Sequence, residues 1–297
     1  MNHLVNLLVV LLISTTAYGQ EYKSDFEKYC QEGDTVKQIE VLKKWESEEP
    51  NNPELYTSYF NYYFQKSRQD IVSMMMEAPQ GNSLAIQDST GKTAGYIGSD
   101  LYFDPETFKK GLDKIDKGIE LYPNRLDMRF GKIYALGQAR DWSSFTDEIL
   151  RTIQYSNEND NQWTWTNNEK KENGKDFLLS SIQTYQLNLY NTGSDDLLIN
   201  MRTIAQEILM YYPNHIESLS NLSITYLLTG EYDKGIAPLL KAEKIDPEDI
   251  IVLANIAHGY SLKGDSATAI EYYRKVIQYG DESTKAHAKQ QIEELEK

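Results

Sequence analysis

Cysteine occurs once in 297 residues, at Cys30, so no disulfide closes within the chain and no thiolate pair exists for zinc or redox chemistry. Histidine is nearly as scarce: His3, His215, His258 and His287 show no HxxxH or HExxH spacing that would set two imidazoles on one helix face. Positive charge is in deficit, with 30 Lys and Arg against 45 Asp and Glu, a net charge of −15. A surface of that sign repels phosphate backbones and anionic lipid headgroups, which argues against nucleic acid as a partner. No apolar run reaches the ~20 residues that cross a bilayer as a helix. Catalytic signatures are lacking too. There is no Gly-x-Ser-x-Gly elbow, and Gly91-Lys92-Thr93 ends like a phosphate-binding loop but has Ile86 where the first glycine belongs. Neither a catalytic site nor a cofactor is expected.

What is present is tyrosine, 22 of them, in a chain that is 40% hydrophobic and 25% charged, the composition of a folded polypeptide. Leu4 to Ile13 reads LVNLLVVLLI and is followed by Ala17 and Gly19 at the −3 and −1 places of a signal-peptidase site. Residues 1–19 are therefore expected to be an export signal, with Gln20 as the mature N-terminus. Export to the periplasm, or release beyond it, is the corresponding expectation for localisation.

A period of 34 organises the remainder. Leu219, Leu222, Tyr226 and Gly230 recur as Leu253, Ile256, Tyr260 and Gly264, and Pro213 recurs as Pro247. Apolar residues at i, i+3 and i+7 form one helix face, twice per period. The glycine ends the first helix, and the proline opens the next unit. These landmarks resemble the tetratricopeptide repeat, with Leu219, Leu222, Tyr226, Gly230, Gly235, Leu239, Ala242 and Pro247 at the family's positions and Ser223 in place of its eighth-position glycine. The resemblance implies an all-α fold, a right-handed superhelical solenoid of about six helix pairs, each burying its face against the next. The units fall at about 20–52, 53–125 with an insert at 66–104, 126–159, 176–215, 216–249 and 250–283. A capping helix follows at 284–297.

Two inserts interrupt the array. Within the first, residues 78–104 lack helical periodicity, and apolar pairs flank Asp88-Ser-Thr-Gly91-Lys92, which predicts a small β-hairpin. Met74-Met75-Met76 reads as a helix end packed against it. The second insert, 156–175, is polar around Trp163 and Trp165. These tryptophans either anchor the loop on the solenoid or meet a ligand. Cys30 reads as a buried or half-exposed helix thiol, and Tyr226 and Tyr260 as core.

The resemblance also implies a concave surface lined by the first helix of each unit, at its second, fifth, sixth and ninth places. These are Glu217, Ser220, Asn221 and Ile224 in one unit, and Ile251, Ala254, Asn255 and His258 in the next. Asn221 and Asn255 stand in register, and an amide that donates and accepts can clamp an extended peptide backbone. Ser58, Gly131 and Thr184 hold the sixth place earlier in the chain. The basic residues with which some relatives capture acidic tails are absent. The sequence thus points to a non-catalytic scaffold that binds a neutral or basic protein or extended peptide. The alternative is a carbohydrate or small ligand held by the inserts.

Overall fold

The computed structural model of the chain describes residues 21–76 and 83–297. The expected signal segment, 1–19, lies outside them. The chain divides into two compact units: residues up to Asp141 together with Gln162–Glu172, and Trp142–Asn161 together with Asn173–Lys297. The division falls between the two helices of the third expected pair, and residues 162–172 of the second insert belong to the first unit although the segments flanking them belong to the second.

The first unit contains α1 (21–32), α2 (Thr35–Glu48), α3 (Pro53–Ser67), β1 (Arg68–Met75), β2 (Ser83–Gln87), β3 (Thr93–Phe103), α4 (Pro105–Leu121) and α5 (Leu126–Gln138). Pro53 and Pro105 each occupy the first turn of a helix, where no N–H bond is lost. Asn52 and Asp104 cap those helices through their side-chain oxygens. Tyr22 and Phe26 of α1, Leu42 and Trp45 of α2, and Leu55, Tyr59 and Tyr62 of α3 make one core. Phe60, Ile115 and Met128 make a second between α3, α4 and α5.

The insert between α3 and α4 is a three-stranded antiparallel sheet in the order β1-β3-β2. The expected hairpin is there: Asp88 Oδ1 accepts the N–H groups of Thr90 and Lys92, at 2.8 and 3.1 Å, and closes the turn from β2 to β3. The methionine run is not a helix end. Met74 and Met75 lie in β1, paired with Ile97 and Tyr96 of β3. Pairing with β3 supplies the backbone partners that a longer α3 would have supplied, and strand propensity yields to that context in either direction.

The second unit contains α6 (Trp142–Glu158), α7 (Gly174–Asn191), α8 (Leu198–Tyr211), α9 (Ile216–Leu228), α10 (Tyr232–Ile245), α11 (Ile250–Lys263), α12 (Ser266–Tyr279) and α13 (Glu282–Leu295). The 34-residue period is visible in its backbone. Gly230 and Gly264 take φ of +76° and +86°. In each turn the next residue's N–H returns to a tyrosine carbonyl, Glu231 to Tyr226 and Asp265 to Tyr260, at 2.9 Å. Gly235 lets α10 close on α9, since a Cβ there would stand 2.6 Å from Leu227 Cδ2. Leu219, Leu239, Val252 and Ile256 form a continuous core across α9, α10 and α11. Ala288, Ile292 and Leu295 seat α13 on α11 and α12.

Two residues expected in the core are only half-buried, though Tyr260 does pack against it. Tyr226 is half-buried, its ring face covered by the Arg202 guanidinium carbon at 4.0 Å. Tyr260 is half-buried and stacks on Tyr272 at 6.0 Å. Each turns its apolar ring inward and leaves its hydroxyl at the edge, as an amphipathic aromatic does. Cys30 is exposed on α1.

Candidate functional site

In the second unit α9 lies between α7 and α11, while α8, α10 and α12 pack behind them. Along α9 the buried residues are Ser218, Leu219, Ser223, Thr225 and Leu227. That leaves Glu217 exposed and Ser220, Asn221 and Ile224 half-buried as a stripe at i, i+3, i+4 and i+7. Along α11 the equivalent stripe is exposed Ile251 and His258 with half-buried Ala254 and Asn255. The two helices therefore present the expected residues outward in the same order.

The amide row differs from the expected one at α7. Asn221 Nδ2 donates to Gln183 Oε1, and Gln183 Nε2 reaches Ser218 Oγ at 3.4 Å. Gln183, not Thr184, is the α7 member. The first helix of this pair has 18 residues against 13 in α9, so counting places from its expected start shifts the register. Asn255 makes no side-chain hydrogen bond among the described residues.

An open cavity of 770 Å³ adjoins this row. Lys175, Asp176, Ser180 and Gln183 of α7 line one side, and Tyr211, Tyr212, Pro213, His215 and Glu217 the other. Sequence periodicity did not single out Asp176, Tyr211, Tyr212 or His215. The repeat's landmarks report what packs inside, and these residues lie at a helix start and in an interhelical turn. His215 Nδ1 meets Ser218 Oγ at 2.8 Å and its Nε2 stands 3.1 Å from Glu217 Oε2. Burial pushes its pKa below 6.5, against the pull of Glu217, so the ring is neutral at pH 7. The Lys175 ammonium sits over the Tyr212 ring, 5.3 Å from its centre.

The first unit holds a second, smaller cavity of 310 Å³ against α1, α3 and α5, lined among others by Ser58, Asn61 and Gly131. Thr166 of the chain's own second insert lines it too. Trp163 is completely buried, and Thr164 exchanges backbone bonds with Asn124 and Leu126 at 2.8 and 3.0 Å. Trp165 meets Phe130 edge to face at 6.2 Å and carries Lys171 over its ring. Glu54 accepts the Asn167 N–H at 2.9 Å and pairs with Lys23 and Arg125 at 3.1 and 2.7 Å. Arg125, 1% exposed, also bonds Asp127 through Nε and Nη2, both at 2.8 Å. Of the two readings open for Trp163, loop anchor and ligand contact, its burial fits the first: an indole with no exposed surface fixes the loop. Trp165 is half-buried by the same packing.

Among the described residues no helix is long and apolar enough to cross a membrane, and no group of three His, Cys, Asp or Glu side chains is placed to hold a metal ion.

Comparison with known proteins places a tetratricopeptide repeat at residues 251–279, where the family model of that name matches. No curated protein matches. Among solved structures, YrrB, described as a TPR protein with an unusual peptide-binding site, is 14% identical with a TM-score of 0.42 and covers 84% of this chain and 97% of its own. The C-terminal part of a TPR repeat-containing protein from Cytophaga hutchinsonii is 12% identical with a TM-score of 0.43, covering 86% and 78%. The TPR2AB domain of yeast Sti1 in complex with an Hsp90 peptide is 10% identical with a TM-score of 0.34, covering 95% and 100%. Likeness at this level says nothing of what the present chain binds.

Proposed function

We propose that this chain, a tetratricopeptide-repeat protein, is a non-catalytic scaffold that holds an extended protein segment against α7, α9 and α11. The observation that carries the reading is the row of carboxamides. Gln183 and Asn221 already bond each other, which orients both, and Asn255 follows on the next helix with its donors and acceptor unspent. A peptide laid across the three helices meets one amide per helix, each bond contributing about 0.5–1.5 kcal/mol net. Ile224 and Ala254 supply apolar contact beside them. The net charge of −15 favours a neutral or basic partner and a salt-sensitive association rate. The export signal expected at residues 1–19 supports a role outside the cytoplasm, for which we propose envelope assembly, and N-terminal sequencing of the natural protein tests the export by whether the chain begins at Gln20.

A carbohydrate site built on the two insert tryptophans loses its main support from the burial of Trp163. The test is an array of random decapeptides probed with the wild-type chain and with Asn221→Ala/Asn255→Ala. Binding by the wild type that drops about tenfold or more in the double variant supports the groove. Binding that ignores the substitutions moves the site elsewhere.

A further inference from the structure

The first unit displays how this chain holds a polar loop, because its own second insert is held through a short 3-10 turn at Thr166–Asn168. The contacts come from one place in the fold. Glu54 is the second residue of α3, and Asp127 is the second residue of α5. The Glu54 carboxylate takes a backbone N–H of the insert and two cations, while Asp127 takes the Arg125 fork and the Thr166 hydroxyl at 3.3 Å. A carboxylate at the second place of the first helix thus accepts from the loop laid against it, and its charge is matched by Lys23 and Arg125 of the same unit.

The second residue of α9 is Glu217. Its carboxylate is 64% exposed, and its partner among the described residues is the His215 ring. Glu217 opens onto the 770 Å³ cavity together with Asp176, with Tyr211 and Tyr212 as aromatic walls. The cation that the cavity already contains, Lys175, is parked over Tyr212 and pairs with neither carboxylate among the described residues. With His215 neutral, the cavity wall carries two carboxylates and one ammonium beside aromatic rings, and the Lys241 ammonium is held on the carbonyl of the lining Pro213 at 2.5 Å. That combination suits a guanidinium or ammonium, which gains from the carboxylates and from the ring faces at once.

Building on the peptide-groove reading, we propose that this cavity seats an Arg or Lys side chain of the bound segment between Asp176 and Glu217, and so makes the groove selective for a peptide with a basic residue beside its backbone-clamped stretch. Arg is the better occupant, since its planar fork serves a carboxylate and stacks on tyrosine.

The test uses fluorescein-labelled decapeptides of Asn, Ser, Thr and Gly with one central Arg, citrulline or Glu, titrated into the full chain by anisotropy. Citrulline keeps the shape of Arg and removes the charge. The Arg peptide is expected to bind about tenfold tighter than the citrulline peptide, with the Glu peptide weakest and the preference shrinking as salt rises. Asp176→Asn/Glu217→Gln, both exposed positions, should erase the preference of Arg over citrulline. Asn221→Ala/Asn255→Ala should weaken all the peptides that bind and keep the preference. Equal binding of the Arg and citrulline peptides, or a preference that survives Asp176→Asn/Glu217→Gln, overturns the basic-residue pocket. If those peptides still respond to the Asn pair, the groove stands without the pocket. If no peptide binds the wild type, both fall together.

Discussion

Arg125→Met offers a quantitative test of how the second insert is held. The guanidinium is 1% exposed and serves two carboxylates, Glu54 at 2.7 Å and Asp127 through two bonds of 2.8 Å. Those carboxylates are themselves only 11% and 12% exposed. Methionine fills much of the space but removes the charge. Glu54 then retains Lys23 and the Asn167 N–H, whereas Asp127 is left with the Thr166 hydroxyl at 3.3 Å. Breaking a buried pair on one side costs about 3–5 kcal/mol, mostly as the penalty on the charge left behind. The penalty should therefore concentrate on Asp127, and adding Asp127→Asn should recover about 1–2 kcal/mol of it. A pH effect accompanies this. Burial raises the Glu54 carboxyl, but the Asn167 N–H and the charges of Arg125 and Lys23 outweigh it and hold the group below its ordinary 4.5. A depressed carboxylate stabilises the fold above 4.5 and ceases to do so as pH falls through the folded-state value, so Arg125→Met should begin acid unfolding at higher pH. Urea denaturation followed by tryptophan fluorescence gives the energies, and amide exchange at 163–168 gives the local opening. A destabilisation under about 1 kcal/mol, or strict additivity with Asp127→Asn, would refute the reasoning.

Other perturbations follow from the same structure. Trp163→Ala empties a site with no solvent exposure and should cost about 3–5 kcal/mol, read by denaturation; a change near zero would return Trp163 to the surface. Gly264→Ala forces a side chain into φ +86° and should cost about 1–2 kcal/mol in a thermal melt, with Gly264→Asn milder. His215 has a folded-state pKa below 6.5, so its contribution to stability is fully present above 6.5 and fades as pH falls through the folded value. The charged groups around it are Lys175, Asp176 and Glu217. Melting temperatures between pH 7.5 and 5 should therefore fall less steeply in His215→Gln, and parallel profiles would count against a buried neutral ring.

The repeat was legible because its information is local and periodic. Leu219, Leu222, Leu253 and Ile256 mark packing faces by spacing alone, and Gly230 and Gly264 mark turns that need a left-handed residue. Where the local signal was weak, the structure departed from it. The third helical turn has no glycine, and Arg140 takes φ +56° there while its guanidinium reaches Asp100 at 3.1 Å. β1 was hidden because its partner β3 lies some 25 residues on, and its exposed Ile71, Val72 and Met74 form no inward face whose alternation could announce a strand. The outward stripe of α9 and α11 could be read by counting from the turns, but the longer α7 hid Gln183. The Glu54–Arg125–Asn167 cluster joins residues 113 apart in sequence, and no spacing rule reaches that far.

The central claim is that a peptide lies across α7, α9 and α11. The most direct measurement follows the side-chain amide NMR signals of Gln183, Asn221 and Asn255 in the isotope-labelled chain as the tightest array peptide is added. The account predicts saturable shifts of all three at one common dissociation constant, with the backbone signals of α8, α10 and α12 little changed. Saturable binding that leaves the three amides still and moves those rear helices or the sheet would contradict it.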